Sequence, residues 1–338
     1  MVGAGAIGGT VGAHLVRAGH DVLFVDNDRA HVDALRKDGL HIEGPVAAFR
    51  VPVHAATPDE VPGTFDTVLL CVKAHATETA AQGVRPFLAQ HGCVVSLQNG
   101  LNERVLERVV GRERTVGCFV NFGADYLGPG VIHFGGRGAL VLGELDGGTT
   151  PRLSSIHQAL LAFEPNAITS PNIWGFLWSK LAVGAMIFAT ALTDASIADC
   201  YADARYRTLF VALAREVLAV AAAQAISPEP FDGFEPAAFA DGAPRERTER
   251  SLDAMVAFNR RSAKTHSGVW RDLAVRKRKT EAEAQLGAIV QEAGRAHLGV
   301  PLVEALLGQV IEIEYGRRRH SESNLDTLAA LLPSEAGA

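Results

Sequence analysis

The chain opens with the sequence MVGAGAIGG, residues 1–9, in which three glycines form the pattern Gly-x-Gly-x-x-Gly. In such a loop the first glycine, Gly3, permits a tight turn from a strand into a helix. The second, Gly5, lets the backbone approach a pyrophosphate, and the third, Gly8, lets the helix pack closely on the strand. The following helix directs its positive N-terminus at the phosphates. The pattern therefore predicts a dinucleotide-binding loop formed by Gly3, Gly5, Ala6, Ile7 and Gly8.

An acidic residue follows this loop at the position where dinucleotide-binding folds use one. Gly19 ends the predicted first helix, and the next short strand ends at Asp26. An acid at that spacing hydrogen-bonds the adenosine ribose hydroxyls of NAD and repels the 2′-phosphate of NADP. A plain surface carboxylate is the other interpretation of Asp26. Arg29 lies close enough in sequence to reach a 2′-phosphate, so Asp26 favours NAD while NADP stays open.

The first 150 residues alternate short β-rich runs with helical patterns. Such alternation indicates βαβ units and a parallel sheet. Only Met1 and Val2 precede the first glycine, whereas a strand averages about five residues. We therefore expect the natural first strand to begin upstream of residue 1. The predicted strands are 21–26, 67–72, 93–97, 116–120, 131–134 and 139–143, and the predicted helices are 9–18, 77–90 and 152–163.

Helical patterns replace strand patterns in the second half of the chain. Residues 227–244 contain four prolines and are predicted to form a loop region. We predict two domains, a dinucleotide-binding Rossmann domain over 1–165 and a helical substrate-binding domain over 166–338. The predicted helices of the second domain are 177–190, 202–225, 246–264 and 281–298.

Composition excludes several classes of protein. Hydrophobic residues make up 48% and charged residues 21% of the 338 residues, which is typical of folded domains. The net charge of −6 argues against a nucleic-acid partner. The longest apolar run, 181–192, is shorter than the roughly 20 residues of a membrane span, and the N-terminus lacks a signal-peptide pattern. We expect a cytoplasmic protein with a small-molecule substrate.

The four cysteines, at positions 71, 93, 118 and 200, lack the Cys-x-x-Cys spacing of zinc and thioredoxin-type sites. They fit buried thiols in a reducing compartment. The sequence predicts no metal site.

Several polar residues stand at positions where they could contact a cofactor or a substrate. Lys73 follows the predicted strand 67–72, and Asn99 follows the strand 93–97, so both lie at the carboxyl edge of the sheet beside the cofactor. Asn99-Gly100 also fits an ordinary turn. Lys180 stands within an apolar helix, where it either extends its amine to solvent or donates a proton. Thr280 and Glu281 fit the start of a helix, and capping alone accounts for that pair.

Taken together, these features resemble the ketopantoate reductase (2-dehydropantoate 2-reductase) family over nearly the whole chain. The segment from Leu177 to Val183, with Trp178, Lys180 and Leu181-Ala182-Val183, is the most specific of the motifs. The motifs that carry the resemblance are Gly3–Gly8, Val72-Lys73-Ala74, Gln98-Asn99-Gly100, Asn172-Ile173, Leu177–Val183, Ser267–Asp272 and Thr280-Glu281.

The resemblance implies a Rossmann-type α/β domain followed by an all-α domain of the 6-phosphogluconate-dehydrogenase-like kind. It implies reduction of a 2-oxo acid by NADH or NADPH, with ketopantoate as the leading substrate. It assigns Lys180 as the general acid and Glu281 to the substrate hydroxyl. Ser267 matches, within one position, a serine that holds the substrate carboxylate. Lys73 and Asn99 match residues that line the nicotinamide and the substrate.

Departures from the family pattern keep other functions open. The family usually carries Asn where this chain has Gly184 and Phe188, which predicts a more apolar substrate pocket. An NAD-dependent D-2-hydroxyacid (mandelate-type) dehydrogenase is therefore an alternative, as is a reductase that forms opines or amines. A non-catalytic dinucleotide-binding regulator is the alternative from another class, although it would need neither Lys180 nor Glu281. The family commonly places a basic residue after the second strand, where Asp26 and Asn27 stand here, which favours NAD. A homodimer through the long helices stays open.

Overall fold

In the computed structural model, which describes residues 1–261 and 265–333, the chain divides into two units, Met1–Ile173 and Trp174–Ala338. The first unit contains helices and two sheets, and the described residues of the second are organised as helices. This confirms the predicted fold class, an α/β Rossmann-type domain followed by an all-α domain.

The first unit contains eleven strands and five α-helices. Its helices are α1 (Ala6–Arg17), α2 (Arg29–Asp38), α3 (Thr77–Val84), α4 (Asn102–Val110) and α5 (Pro151–Leu160). Its strands are β1 (Leu23–Val25), β2 (Leu40–Glu43), β3 (Phe49–Val51), β4 (His54–Ala56), β5 (Phe65–Leu70), β6 (Leu88–Ser96), β7 (Thr115–Val120), β8 (Gly123–Gly128), β9 (Val131–Gly136), β10 (Leu140–Glu144) and β11 (Ile168–Thr169).

The main sheet places its strands in the order β4-β1-Val2-β5-β6-β7-β10-β11. Neighbours are parallel except for β7 and β10, which run antiparallel. The predicted parallel sheet therefore becomes mixed at its far edge. Its central strands are almost wholly buried and apolar, as expected for a sheet covered on both faces.

Val2 occupies the central position of the main sheet. It forms parallel bridges to Val25 of β1 and Leu70 of β5. Its N–H donates to the Leu69 carbonyl, and its own carbonyl accepts from the Cys71 N–H, both at 2.8 Å. A single residue before the glycine loop thus joins β1 to β5 and brings the loop to the carboxyl ends of both strands.

A second sheet of four strands, in the order β3-β2-β9-β8, covers α1. Ile132 and Phe134 of β9 are fully buried, and Ile132 lies against Gly9 of α1. Of this sheet, only β9 was predicted from the sequence. β3 has three residues and β8 begins and ends with glycine, so neither presents the run of β-branched residues that predicts a strand.

The helices of the second unit follow most of the predicted ranges. The predicted helix over 202–225 corresponds to the helix Arg207–Ala223, which begins five residues later than predicted because the Asp203 carboxylate accepts the Arg205 N–H and forms a turn before it. Residues 262–264, at the end of the predicted helix 246–264, lie outside the described residues. The helices are α6 (Ile173–Thr190), α7 (Ile197–Ala202), α8 (Arg207–Ala223), α9 (Arg245–Arg261), α10 (Gly268–Trp270), α11 (Ala282–Arg295), α12 (Pro301–Glu314) and α13 (Ser323–Ala329).

α6 is the one helix among the described residues that is long and apolar enough, by length and composition, to cross a membrane. Two thirds of its 18 residues are buried, including Trp178, Met186 and Phe188, which are at most 1% exposed. Such burial is typical of the core helix of a soluble protein, and it accounts for the apolar character of α6.

Candidate functional site

Of the three glycines in the loop, two are closely surrounded by protein atoms and one is not. Gly3 has φ +89°, and a Cβ there would lie 2.8 Å from the Val72 nitrogen. A Cβ on Gly8 would lie 2.0 Å from the Gly3 carbonyl oxygen. A Cβ on Gly5 would meet no protein atom within 4 Å. The fold itself therefore requires glycine at the first and third positions, whereas the space over Gly5 is open to a ligand.

Asp26 is bonded directly to the glycine loop. Its Oδ2 accepts the Ala4 N–H at 2.8 Å, and its Oδ1 accepts the Asp28 N–H at 3.0 Å. Each carboxylate oxygen has a second lone pair, so the half-buried group retains the capacity to accept ribose hydroxyls. The loop and the acid predicted from sequence thus lie together at the start of α1 and the end of β1.

His31 holds the same loop from the other side. Its Nδ1 accepts the Gly130 N–H at 3.0 Å, so Nε2 carries the proton and donates to the Ala4 carbonyl at 2.9 Å. The ring is 1% exposed and packs edge-on against Tyr126. Both peptide groups of Ala4 are therefore fixed by side chains. His31 was not predicted from the sequence, because its partner Gly130 is remote in sequence.

Lys73 and Asn99 are brought to one edge of the main sheet, as predicted, where both are exposed. The loops that carry them are tied together by a buried network. Gln98 Nε2 donates to the Val72 carbonyl and to Thr77 Oγ1, both at 2.8 Å. Thr77 Oγ1 donates to Asn102 Oδ1 at 2.8 Å, and Asn102 Nδ2 donates to the Asn99 carbonyl at 2.7 Å. The network fixes the backbone on either side of this edge.

Replacing Thr77 with Val is expected to destabilise this edge. The variant keeps the shape of the side chain but removes the hydroxyl, which leaves a Gln98 donor and an Asn102 acceptor without their buried partner. We expect the free energy of unfolding to fall by about 2 kcal/mol, measured by urea denaturation. Thr77→Ser, which keeps the hydroxyl, is the control and should retain most of the stability. Equal stability of the Val variant and the wild type would contradict the role given to this network.

Lys180 lies on the least buried stripe of α6. Its neighbours Trp178, Ser179 and Leu181 are buried, whereas Lys180 and Gly184 are half-buried and one turn apart. The other half-buried residues at this helical spacing are Phe176, Val183 and Ile187. The helix therefore presents one amine on an otherwise apolar stripe.

Gly184 and Phe188 differ in their surroundings. Phe188 is 1% exposed, so its ring contributes to packing rather than to the half-buried stripe. A Cβ on Gly184 would meet a single protein atom within 4 Å, Gln285 Oε1 at 3.7 Å. The prediction that both positions make the substrate pocket more apolar stays a prediction, with a polar amide beside Gly184 and the Phe188 ring in the packed interior.

Gln285 lies on α11, one turn after Glu281, which occupies the N-cap position of that helix. The Gln285 side-chain oxygen lies beside Gly184, so this turn of α11 is close to α6 at Gly184. Glu281 was predicted from the sequence as a site residue, but Gln285 was not. The four-residue spacing was a usable signal, but the contact with Gly184 was not, since it joins two helices about 100 residues apart.

Ser267 caps α10, whereas Thr280 precedes the N-cap position of α11, which Glu281 occupies, and so does not cap the helix as predicted. Thr280 Oγ1 accepts the Ala282 N–H at 3.0 Å, and α11 begins at Ala282, one residue later than expected. Thr280 also donates to Glu314 through its hydroxyl and its N–H. Ser267, which is 7% exposed, accepts the Trp270 N–H at 3.0 Å, and its hydroxyl proton remains a donor.

The four cysteines are free thiols, and burial raises the pKa of Cys200 to about 11. Within residues 1–261 and 265–333, no group of three or more His, Cys, Asp or Glu side chains is arranged to hold a metal ion.

A glycine loop at the centre of a mainly parallel sheet, an acid at the end of the adjoining strand and a separate helical unit define a two-domain oxidoreductase of the Rossmann type. Residues 1–147 match the family model described as ketopantoate reductase PanE/ApbA, and residues 172–314 match the model of its C-terminal domain. The chain belongs to the ketopantoate reductase family.

Individual relatives agree with this assignment. The 2-dehydropantoate 2-reductase of Mesorhizobium japonicum is 30% identical over 244 residues, which cover 65% of this chain and 74% of the relative. The crystal structure of a PanE/ApbA family ketopantoate reductase from Ralstonia eutropha is 26% identical with a TM-score of 0.78, covering 94% of this chain and all of that one.

A D-mandelate dehydrogenase structure is 22% identical with a TM-score of 0.80, covers 94% of this chain and 99% of that chain, and shares the fold. Alignments to the first curated 2-dehydropantoate 2-reductases span only 60–61% of their length.

Proposed function

We propose that this protein reduces a 2-oxo acid to a 2-hydroxy acid with NADH or NADPH, and that ketopantoate, which yields pantoate, is the leading substrate. The observation that carries the proposal is the half-buried Lys180 on an apolar stripe of α6, one turn before Gly184, where Gln285 of α11 approaches. Family membership and the open space over Gly5 support it. When bound, the reduced nicotinamide supplies the hydride that C2 of the 2-oxo acid accepts.

Lys180 is proposed to donate the proton that completes the reduction. As C2 accepts the hydride, the carbonyl π bond breaks and its electron pair moves to oxygen. An ammonium group beside that oxygen stabilises the developing negative charge and transfers a proton to it. The 2-hydroxy acid and the oxidised dinucleotide are the products, and Lys180 regains its proton from water.

The remaining site residues receive supporting roles in this proposal. Glu281 accepts a hydrogen bond from the substrate hydroxyl, and the Ser267 hydroxyl donates to the substrate carboxylate. Lys73 and Asn99 line the nicotinamide and the substrate. Residues 1–165 would then form the cofactor domain and 166–338 the substrate domain. We also propose that the protein acts in the cytoplasm on a small-molecule substrate and binds neither nucleic acid nor a membrane. A homodimer is compatible with this proposal.

NAD is the proposed cofactor, because Asp26 places a carboxylate beside the glycine loop. Asp26→Ala removes the two charged hydrogen bonds that the carboxylate is proposed to accept from the ribose hydroxyls. It also removes the repulsion of a 2′-phosphate. We expect NADH affinity to fall about tenfold, with a smaller loss for NADPH, so that the preference between the two relaxes. Fluorescence titration with each dinucleotide measures this, and circular dichroism controls for folding. An unchanged preference would remove Asp26 from the cofactor site.

Steady-state consumption of NADH and NADPH tests the function as a whole. The substrates are ketopantoate, 2-oxoisovalerate and phenylglyoxylate, each with and without an added amine. Turnover of ketopantoate supports the leading proposal. Turnover of phenylglyoxylate alone supports the mandelate-type dehydrogenase, which the missing side chain at Gly184 and the apolar stripe of α6 favour. A requirement for the amine points to an opine-type reductase, and binding without turnover to a regulator.

A further inference from the structure

Two arginines beside the predicted adenosine end of the dinucleotide site share one acidic partner. Glu60 Oε1 lies 3.4 Å from Arg29 Nη1, and Glu60 Oε2 accepts a hydrogen bond from Arg36 Nη2. Arg29 is the first residue of α2, and Arg36 lies two turns further along. Both guanidinium groups are thus paired with one carboxylate that comes from a different part of the chain.

Glu60 is held in place by its own turn. It ends a short 3-10 helix, Pro58–Glu60, and its Oε2 accepts the Thr57 N–H at 3.0 Å in a capping box. This backbone hydrogen bond and the Arg36 guanidinium lower the pKa of Glu60 to about 2. Arg36 is fixed in turn, because its Nε donates to the Ala55 carbonyl at 2.9 Å. The pairing of Glu60 with Arg36 therefore joins two side chains that each have a backbone partner.

The turn that carries Glu60 lies next to Asp26. The Asp26 N–H donates to the Ala56 carbonyl at 3.2 Å, and the capping box begins at the next residue, Thr57. Asp59 lies in the same turn, and the Thr57 hydroxyl lowers its pKa. Four carboxylates, from Asp26, Asp28, Asp59 and Glu60, therefore outnumber the two guanidinium groups of Arg29 and Arg36 around the carboxyl ends of β1 and β4.

We propose that Glu60 is a specificity-determining residue, which holds Arg29 and Arg36 in ion pairs and so keeps both guanidinium groups from a 2′-phosphate. A 2′-phosphate placed beside Asp26 would need a cation within reach, and Arg29 is the cation nearest in sequence. Glu60 neutralises that cation and adds a negative charge that repels the phosphate. The inference rests on the proposed cofactor function and extends it from Asp26 to a residue of another loop.

The test compares the binding of NADH and NADPH by protein fluorescence, without any 2-oxo acid. Glu60→Gln keeps an oxygen for the Thr57 N–H but removes the charge. We expect its NADPH affinity to rise about fivefold, the scale of one exposed ion pair, while its NADH affinity stays within about twofold of the wild type. Adding Arg29→Ala to this variant should cancel the gain.

Glu107→Gln is the matched control. Glu107 also pairs with two arginines, Arg104 at 3.3 Å and Arg112 at 3.7 Å, but it lies on α4. Glu107→Gln should leave the affinities for NADH and for NADPH unchanged.

Each outcome separates the inference from the proposed function. If the wild type binds NADH and Glu60→Gln leaves NADPH affinity unchanged, the role of Glu60 is wrong and the cofactor proposal stands. If the gain in NADPH affinity persists when Arg29→Ala is added, the gain comes from loss of repulsion alone. The role given to the Arg29–Glu60 pair is then wrong. If the wild type binds neither dinucleotide, the proposed function fails, and the inference fails with it.

Discussion

Lys180→Ala is expected to lower kcat for 2-oxo acid reduction by at least about a hundredfold, the usual scale for loss of a general acid. The substitution removes both the proton donor and the positive charge that stabilises the developing alkoxide. Because Lys180 is proposed to act on the substrate carbonyl rather than on the dinucleotide, NADH affinity should change little. Stopped-flow or steady-state measurement of NADH oxidation gives kcat, and fluorescence titration gives the affinity.

Two controls separate chemistry from folding in the Lys180 experiment. Lys37→Ala removes an exposed lysine from the end of α2 and should leave kcat unchanged. Lys180→Arg keeps the positive charge, but arginine holds its proton far more tightly than lysine. Compared with Lys180→Ala, this variant should recover part of the stabilisation of the developing alkoxide and little of the proton transfer. A Lys180→Ala variant that turns over at nearly the wild-type rate would show that another group donates the proton.

Gly8→Ala is expected to give the largest loss of stability and to abolish dinucleotide binding. The new Cβ would lie 2.0 Å from the Gly3 carbonyl oxygen and 2.9 Å from Cys71 Cβ, so backbone atoms must move. We expect the free energy of unfolding to fall by about 3 kcal/mol or more, measured by urea denaturation. The displaced loop would no longer present its N–H groups to a pyrophosphate, so NADH titration should show no binding.

Gly5→Ala and Gly83→Ala are the matched controls for this prediction. A Cβ at either position meets no protein atom within 4 Å. Both variants should be at least as stable as the wild type, since alanine restricts the unfolded chain. Gly5→Ala should nevertheless weaken NADH binding, because its methyl group enters the open space over the loop, whereas Gly83→Ala should bind normally. A stable Gly8→Ala variant that binds NADH would contradict the account of the loop.

The sequence predicted the parts of the fold that depend on local pattern. The glycine spacing and the β-branched runs of β5, β6 and β7 each carry their signal within a few residues. β4 has only three residues, too few to show a strand pattern of its own. The antiparallel direction of β10 depends on pairing with β7 rather than on its own composition. These features follow from tertiary contacts, which propensity does not record.

The same distinction applies to the candidate site. Asp26, Lys73 and Asn99 were identified because each follows a predictable strand. His31 was not, since its role depends on Gly130 from the second sheet. Glu60 and Thr77 likewise act through side chains elsewhere in the chain, and their importance is visible only once the loops are placed together.

Transfer of deuterium from NADH labelled at C4 of the nicotinamide to ketopantoate tests the central claim most directly. Both C4 stereoisomers of the labelled cofactor are supplied in turn, and the hydroxy acid is analysed by mass spectrometry. The account predicts pantoate with one deuterium at C2 from one of the two stereoisomers, and a rate at least about a hundredfold lower for Lys180→Ala. Absence of labelled hydroxy acid from ketopantoate and from the apolar 2-oxo acids, in protein that binds NADH, would contradict it.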